Sequence, residues 1–185
     1  MPAASGSLRD QRVLLCVCGG IAAYKAAGLV RRLREAGADV QVAMTASAQR
    51  FVGEQTFQAL THRPVRVSLW DAQAEAAMGH LELAGWADRV VVAPATANTI
   101  AKLAHGLADD LVSTLCLATE APLLLAPAMN HRMWRHPATQ ANVATLKERG
   151  VVIVGPNDGP LAEGETGPGR MAEPLEIVAE LAGSG

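Results

Sequence analysis

The stretch RVLLCVCGGIAAYKAAGLVRRLREAG, residues 12–37, decides the fold. Its first seven residues form an apolar run of strand length that reads as a buried strand. Residues 21–37 then switch to helical period: Ala22, Ala26, Leu29, Val30 and Leu33 share one face, and Gly37 ends the helix. Between the two segments, Gly19-Gly20 form a tight strand-to-helix turn or a seat for an anion at the helix N-terminus.

Outward from this unit, DVQVAM (39–44), PVRVSL (64–69), RVVVAPA (89–95), PLLLAPA (122–128) and VVIVGP (151–156) repeat the strand signal. Helical segments fill most of the gaps. This alternation predicts βαβ units, and hence an α/β fold with one doubly wound parallel sheet. No internal repeat or long linker divides residues 1–185. The ordered core is expected over about residues 11–182, with the first ten residues and the final AGSG frayed.

Half of the 185 residues are hydrophobic, the formal net charge is −2 and only 3% are aromatic. That balance argues against a nucleic-acid surface, which clusters Lys and Arg with stacking aromatics, and favours small-molecule or peptide chemistry. Cys16, Cys18 and Cys116 are odd in number, lie in apolar runs and lack zinc or disulfide spacing, so a reduced, cytoplasmic setting is expected. No apolar run approaches the ~20 residues that span a bilayer, and the opening MPAASGSLRDQR has no apolar signal core, so no membrane partner is expected. Asp109-Asp110 has no third ligand at metal spacing; helix capping is the better reading, and no metal is expected.

Ligands of open parallel sheets bind beyond the carboxyl ends of the strands. At those points the chain carries Gly19-Gly20, then Thr45 and Ser47, then ATANT, then AMN, all small or polar. A GxGxxG fingerprint is absent, which argues against a dinucleotide. Thr45 and Ser47 fit either phosphate ligands or N-caps; together the strand ends favour a mononucleotide. His80 heads an amphipathic segment and Asn130 follows a strand directly, so both are candidates for the crevice. His62, His105, His131 and His136 have weaker claims. Lys102 reads as a solvated helix residue, and Met133 and Trp134 read as core or interface packing.

The segments GGIAAYK (19–25), PATANT (94–99), GLADDLVSTL (106–115), PAMNHRMW (127–134) and GPGRMAEP (167–174) together resemble the homo-oligomeric flavin-containing cysteine decarboxylases. The resemblance is greatest to the phosphopantothenoylcysteine decarboxylases of coenzyme A synthesis, and less to enzymes acting on a peptide's C-terminal cysteine. It implies a flavodoxin-like, Rossmann-like three-layer subunit, assembled as a trimer or dodecamer, holding FMN near a subunit boundary. Cofactor contacts are implied at Gly19, Gly20, Ile21, Thr45, Ser47, Ala95, Thr96, Asn98, Ala128 and Met129. His80 falls on the catalytic histidine and Asn130 on the carboxylate anchor; Met133, Glu163, Gly169, Arg170 and Met171 complete the implied substrate contacts.

The implied chemistry has a clear reason. Loss of CO2 from a cysteine leaves a carbanion with no electron sink, and oxidation of the CH2–SH unit by the flavin supplies one, giving an enethiol. A water-excluding lid is implied over about residues 157–173, containing LAEGETGPGRM (161–171). In the coenzyme A enzymes this motif has a cysteine where the chain has Glu163, and a carboxylate cannot replace a thiol that returns electrons to the enethiol. The missing thiol, and a chain that stops without a ligase domain, favour an oxidative peptidyl-cysteine decarboxylase. Phosphopantothenoylcysteine is the alternative substrate. A non-catalytic flavin-binding subunit is a third reading, against which the presence of both His80 and Asn130 speaks.

Overall fold

The computed structural model describes residues 8–183. Strand β1 (Arg12–Val17) leads through Gly19-Gly20 into helix α1 (Ala23–Glu35), and β2 (Asp39–Met44) follows. Next come α2 (Glu54–Thr61), α3 (Ala72–Ala77), α4 (His80–Trp86), β3 (Arg89–Ala95), α5 (Ala97–His105) and α6 (Leu111–Ala118). The chain continues with β4 (Leu123–Pro127), α7 (His131–Arg135), α8 (Pro137–Glu148), β5 (Val152–Ile153), a hairpin of β6 (Asn157–Pro160) and β7 (Thr166–Arg170), and α9 (Pro174–Gly183).

The main sheet is parallel in the order β2-β1-β3-β4-β5. Side chains alternate across it, as the strand period of two requires. Val13, Leu15 and Val17 of β1 pack with α1, α2 and α9 through Leu29, Phe57 and Ile177. Leu14 and Cys16 point the other way, toward Leu83 of α4, Ile100 of α5, Leu115 of α6 and Val143 of α8. The result is three layers, with β1 buried from Val13 to Val17. The chain moves from β1 outward to β2 and then back past β1 to β3, so the strand order reverses beside β1. That switch point places the crevice at the carboxyl ends of β1 and β3.

Several sequence expectations need correction. PVRVSL forms no strand: Arg66 makes one bridge to Ala43, giving its N–H to Val42 and its carbonyl to Met44, and the chain then leaves the sheet. Pro64 has no N–H to extend the pairing, and the buried Arg66 side chain is drawn to partners off the sheet. VVIVGP pairs only at Val152 and Ile153. On α1, Ala23 rather than Ala22 is fully buried beside Ala26, Leu29, Val30 and Leu33, while Gly37 takes the left-handed φ of 97° expected of a helix stop. Fraying of residues 1–7 and 184–185 lies outside the described residues. Leu8, by contrast, is buried in the core, with its N–H bonded to the Ala36 carbonyl.

Candidate active site

A cleft of about 940 Å3 opens at the strand ends. Its wall is made by Gly19, Gly20 and Ile21 after β1, Thr45 and Ser47 after β2, Thr96 and Asn98 after β3, and Ala128, Met129 and Asn130 after β4. Gly19 is obligatory for a local reason: a Cβ there would lie 2.3 Å from Ser47 Cβ and 2.7 Å from the Ser47 carbonyl carbon. The two loops pass in backbone contact. Thr45 Oγ1 accepts the Ala48 N–H at 3.2 Å, a cap that leaves its hydroxyl proton for a ligand, whereas Ser47 makes no side-chain cap. Thr96 Oγ1 caps α5 at Thr99 N.

The resemblance placed two residues in the site that do not line this cleft. Ala95 is wholly buried in β3; its carbonyl accepts the Ala128 N–H at 3.1 Å and so braces the wall from behind. His80 opens α4 and is also absent from the lining. Its ring Nδ1 lies 3.0 Å from Glu75 Oε2, and its side chain is one-third exposed.

One lining residue, Lys102, was read differently from sequence. Lys102 is not solvated: its side chain is 16% exposed, and Nζ is 2.8 Å from Asp109 and 2.7 Å from Asp110. Hydrogen bonds to these carboxylates raise its pKa against the effect of burial, so the ammonium is a fixed positive charge beside the cleft. Asp110 does cap α6, accepting the Ser113 N–H at 2.8 Å. Burial pushes its pKa up, but Lys102 and Ser113 together hold it below the ordinary value. The helical spacing of Asn98 and Lys102 carried the signal for this pair. Lys25, also at the cleft, is bound to Glu173 at 2.7 Å.

The stretch expected to form a lid is a β-hairpin rather than an irregular loop. Strands β6 and β7 pair antiparallel, and Glu163 sits exposed at the turn, on the cleft. Pro160, Leu161, Ala162, Gly169 and Arg170 also face the cleft. Met171 lines it too, but Met171 and Ala172 are buried core residues, and the hairpin ends at Arg170. Asn130 caps α7 through Oδ1, which accepts the Arg132 N–H at 2.8 Å; its amide Nδ2 is directed at Glu165 Oε2, 3.5 Å away. Arg132 reaches the other Glu165 oxygen at 2.5 Å, and His131 Nδ1 lies 3.4 Å from Oε2. In this geometry His131 Nδ1 makes no hydrogen bond. Met133 is half exposed at the cleft, while Trp134 packs against the core.

None of the three cysteines replaces a lid thiol. All are buried, Cys16 is held against Cys116, and burial pushes the Cys18 pKa up to about 12. Cys16 and Cys18 therefore stay protonated and unreactive, and Cys116 is buried away from the hairpin.

The description Flavoprotein matches residues 2–184, and the chain belongs to that family. It is 54% identical over 173 residues to the coenzyme A biosynthesis bifunctional protein CoaBC of Vibrio vulnificus (strain YJ016), covering 94% of this chain and 43% of that protein. Identity to CoaBC of Escherichia coli (strain K12) is 56% over 172 residues, covering 93% and 42%. The chain thus spans less than half the length of these curated relatives. Among solved structures, a cysteine-to-serine mutant of PPC decarboxylase complexed with pantothenoylaminoethenethiol matches with TM-score 0.83 and 34% identity, covering 94% of this chain and 97% of that one. The FMN-dependent cysteine decarboxylase SpaF matches with TM-score 0.79 and 33% identity, covering 96% and 99%.

Proposed function

We propose that this chain is an FMN-dependent cysteine decarboxylase acting on phosphopantothenoylcysteine. Its identity to the CoaBC proteins, 54% and 56% over more than nine-tenths of its length, carries the reading. That similarity outweighs Glu163, the residue that favours a peptide substrate.

The cleft fits FMN. Its volume suits a flat ring system with a ribityl phosphate, Gly20 carries no side chain toward it, and Thr45 and Ser47 offer hydroxyls to an anion. Bound FMN supplies the two-electron oxidation that gives the cysteine carbons an electron sink. The chain's own residues then have separate tasks. Asn130 Nδ2, already turned toward a carboxylate, orients the substrate carboxylate. The hairpin excludes water from the reactive intermediate. His80 lies off the cleft of its own chain, so its role as base requires a second copy that brings the ring across a subunit boundary. Leu81, 67% exposed beside His80, and Ile21, 63% exposed at the cleft rim, are the apolar surfaces such an assembly would cover.

The test offers the purified, flavin-loaded protein both phosphopantothenoylcysteine and a peptide ending in cysteine. The phosphopantothenoyl substrate should be preferred by at least about 100-fold in kcat/KM; a reversed preference would falsify the proposal. Denaturation should release FMN and no FAD. Mixing His80→Asn with Asn130→Ala protein should restore part of the activity that each lacks, because shared sites then pair an intact His80 with an intact Asn130.

A peptide substrate with enethiol release remains the second reading, favoured by Glu163 in the lid. Mass spectrometry separates the product states: loss of CO2 alone means that the electrons returned, and loss of CO2 with two hydrogens means that the enethiol was released.

A further inference from the structure

Outside the cleft, Arg66 and Glu75 form one continuous chain of contacts that ends on the His80 ring. Arg66, with a side chain only 7% exposed, donates Nη2 to Glu75 Oε1 at 2.7 Å and Nη1 to the Met78 carbonyl at 2.5 Å. The second carboxylate oxygen of Glu75, Oε2, accepts the backbone N–H of His80 at 3.2 Å and lies 3.0 Å from its Nδ1. One oxygen therefore holds both the start of α4 and the ring that the helix carries.

A neutral imidazole has one N–H, and which nitrogen bears it depends on the partner of the other. An ionised carboxylate only accepts, so the contact with Glu75 is favourable only when Nδ1 carries the proton. Glu75 is ionised at neutral pH: burial pushes its pKa up, but the hydrogen bonds from His80 and the charges of His80 and Arg66 more than reverse this. Asp71 does not compete, because its carboxylate accepts the Gln73 and Ala74 N–H groups at the start of α3.

We propose that Glu75, braced by Arg66, is a positioning residue that holds His80 as the Nδ1–H tautomer and presents Nε2 as the basic nitrogen. This rests on the catalytic reading of His80 given above. In that reading the substrate thiol loses its proton to Nε2: the S–H bond breaks, the Nε2–H bond forms, and no electrons are exchanged. The resulting imidazolium keeps its bond to Glu75, whose charge offsets it.

Arg66 makes the idea sharply testable. In Glu75→Gln the side chain has one oxygen and one NH2; Arg66 and the His80 backbone N–H both seek the oxygen, and the charged, buried guanidinium with the shorter contact takes it. The NH2 then faces Nδ1, which must accept, so the proton moves to Nε2. The experiment measures the imidazole nitrogen shifts of 15N-histidine-labelled, FMN-loaded wild type, Glu75→Gln and Glu75→Ala at about pH 8.5, above the ordinary histidine range. His80→Asn assigns the signal. Wild type should show the Nδ1–H tautomer and Glu75→Gln the Nε2–H tautomer, with kcat about 100-fold lower and KM within about twofold. An Nε2–H wild type, an unchanged tautomer in Glu75→Gln, or an inverted tautomer with unchanged kcat each overturns the proposal. Should Glu75→Gln lose flavin or fold, Glu75→Ala must still lose the Nδ1–H preference. The catalytic reading of His80 fails separately, through full activity in His80→Asn.

Discussion

The wall and the lid of the cleft are built by different physics. The wall is backbone at the ends of a sheet whose inner strands β1 and β3 are buried beyond their first residues, and at Gly19 and Ser47 two loops touch without room for one carbon atom. The lid is a hairpin whose turn is exposed. It is tied down by the Met129 N–H on the Gly169 carbonyl and by Glu165, which faces Asn130, His131 and Arg132. To open, the wall must break the core; the lid must break contacts that water readily replaces. A pre-formed seat with a movable cover is what flavin retention combined with substrate entry requires.

The largest test of this contrast is Gly19→Ala. Its Cβ collides with backbone, so a loss of about 3 kcal/mol and of bound flavin is expected in thermal unfolding and absorbance measurements. A variant that melts like wild type would show that the wall can yield as the lid does.

Lys102→Met comes next. It leaves Asp110 beside the cleft without its cation and should cost about 2 kcal/mol, less than a fully buried pair because Asp109 is mostly exposed. The folded Asp110 carboxyl lies below its ordinary 3.8. The pair's contribution is therefore fully present above that pH and lost as the pH falls through the lower, folded value. Urea unfolding at neutral and acid pH should show the two proteins converging in acid.

Glu165→Gln is expected to change global stability by less than about 1 kcal/mol, because its partners are partly exposed. Amide hydrogen exchange across residues 161–166 should nevertheless speed up while β1 and β3 stay protected. A large fall in melting temperature would mean that the lid belongs to the core.

A similarly small effect is expected for Gly164→Ala. The left-handed φ of 82° costs about 1 kcal/mol with a Cβ, yet no atom lies within 4 Å to be displaced. Paired with Gly19→Ala, it separates backbone strain in a free turn from collision in a packed one.

Local pattern carried much of this protein. Residues 12–37 announce a buried strand and its helix because period and turn chemistry are short-range properties, and the strand-end residues Thr45, Ser47, Thr96 and Asn130 follow from the parallel sheet alone. PVRVSL misled for a long-range reason: its alternation is that of a strand, but the Arg66 guanidinium reaches Glu75 and Met78, away from the sheet. Lys102 misled in the opposite sense, since a lysine on a helix is ordinarily solvated and only folding brings Asp109 and Asp110 around it. The segment was legible as a glycine-rich stretch but not as a hairpin, because NDGP and TGPGR are poor strand formers whose pairing depends on what lies beneath them.

The sequence by itself determined the α/β class, the central β1–α1 unit, the strand ends that form the seat, and the family, because each is written in contiguous residues. Tertiary structure decided which of those residues share the cleft. It set Ala95 behind the wall, left His80 outside with Glu75 on its ring, and turned Glu165 toward Asn130. The physical reason is that hydrogen bonds and ion pairs form between atoms near in space, and a folded chain brings together residues, such as Asn130 and Glu165, that no local period connects.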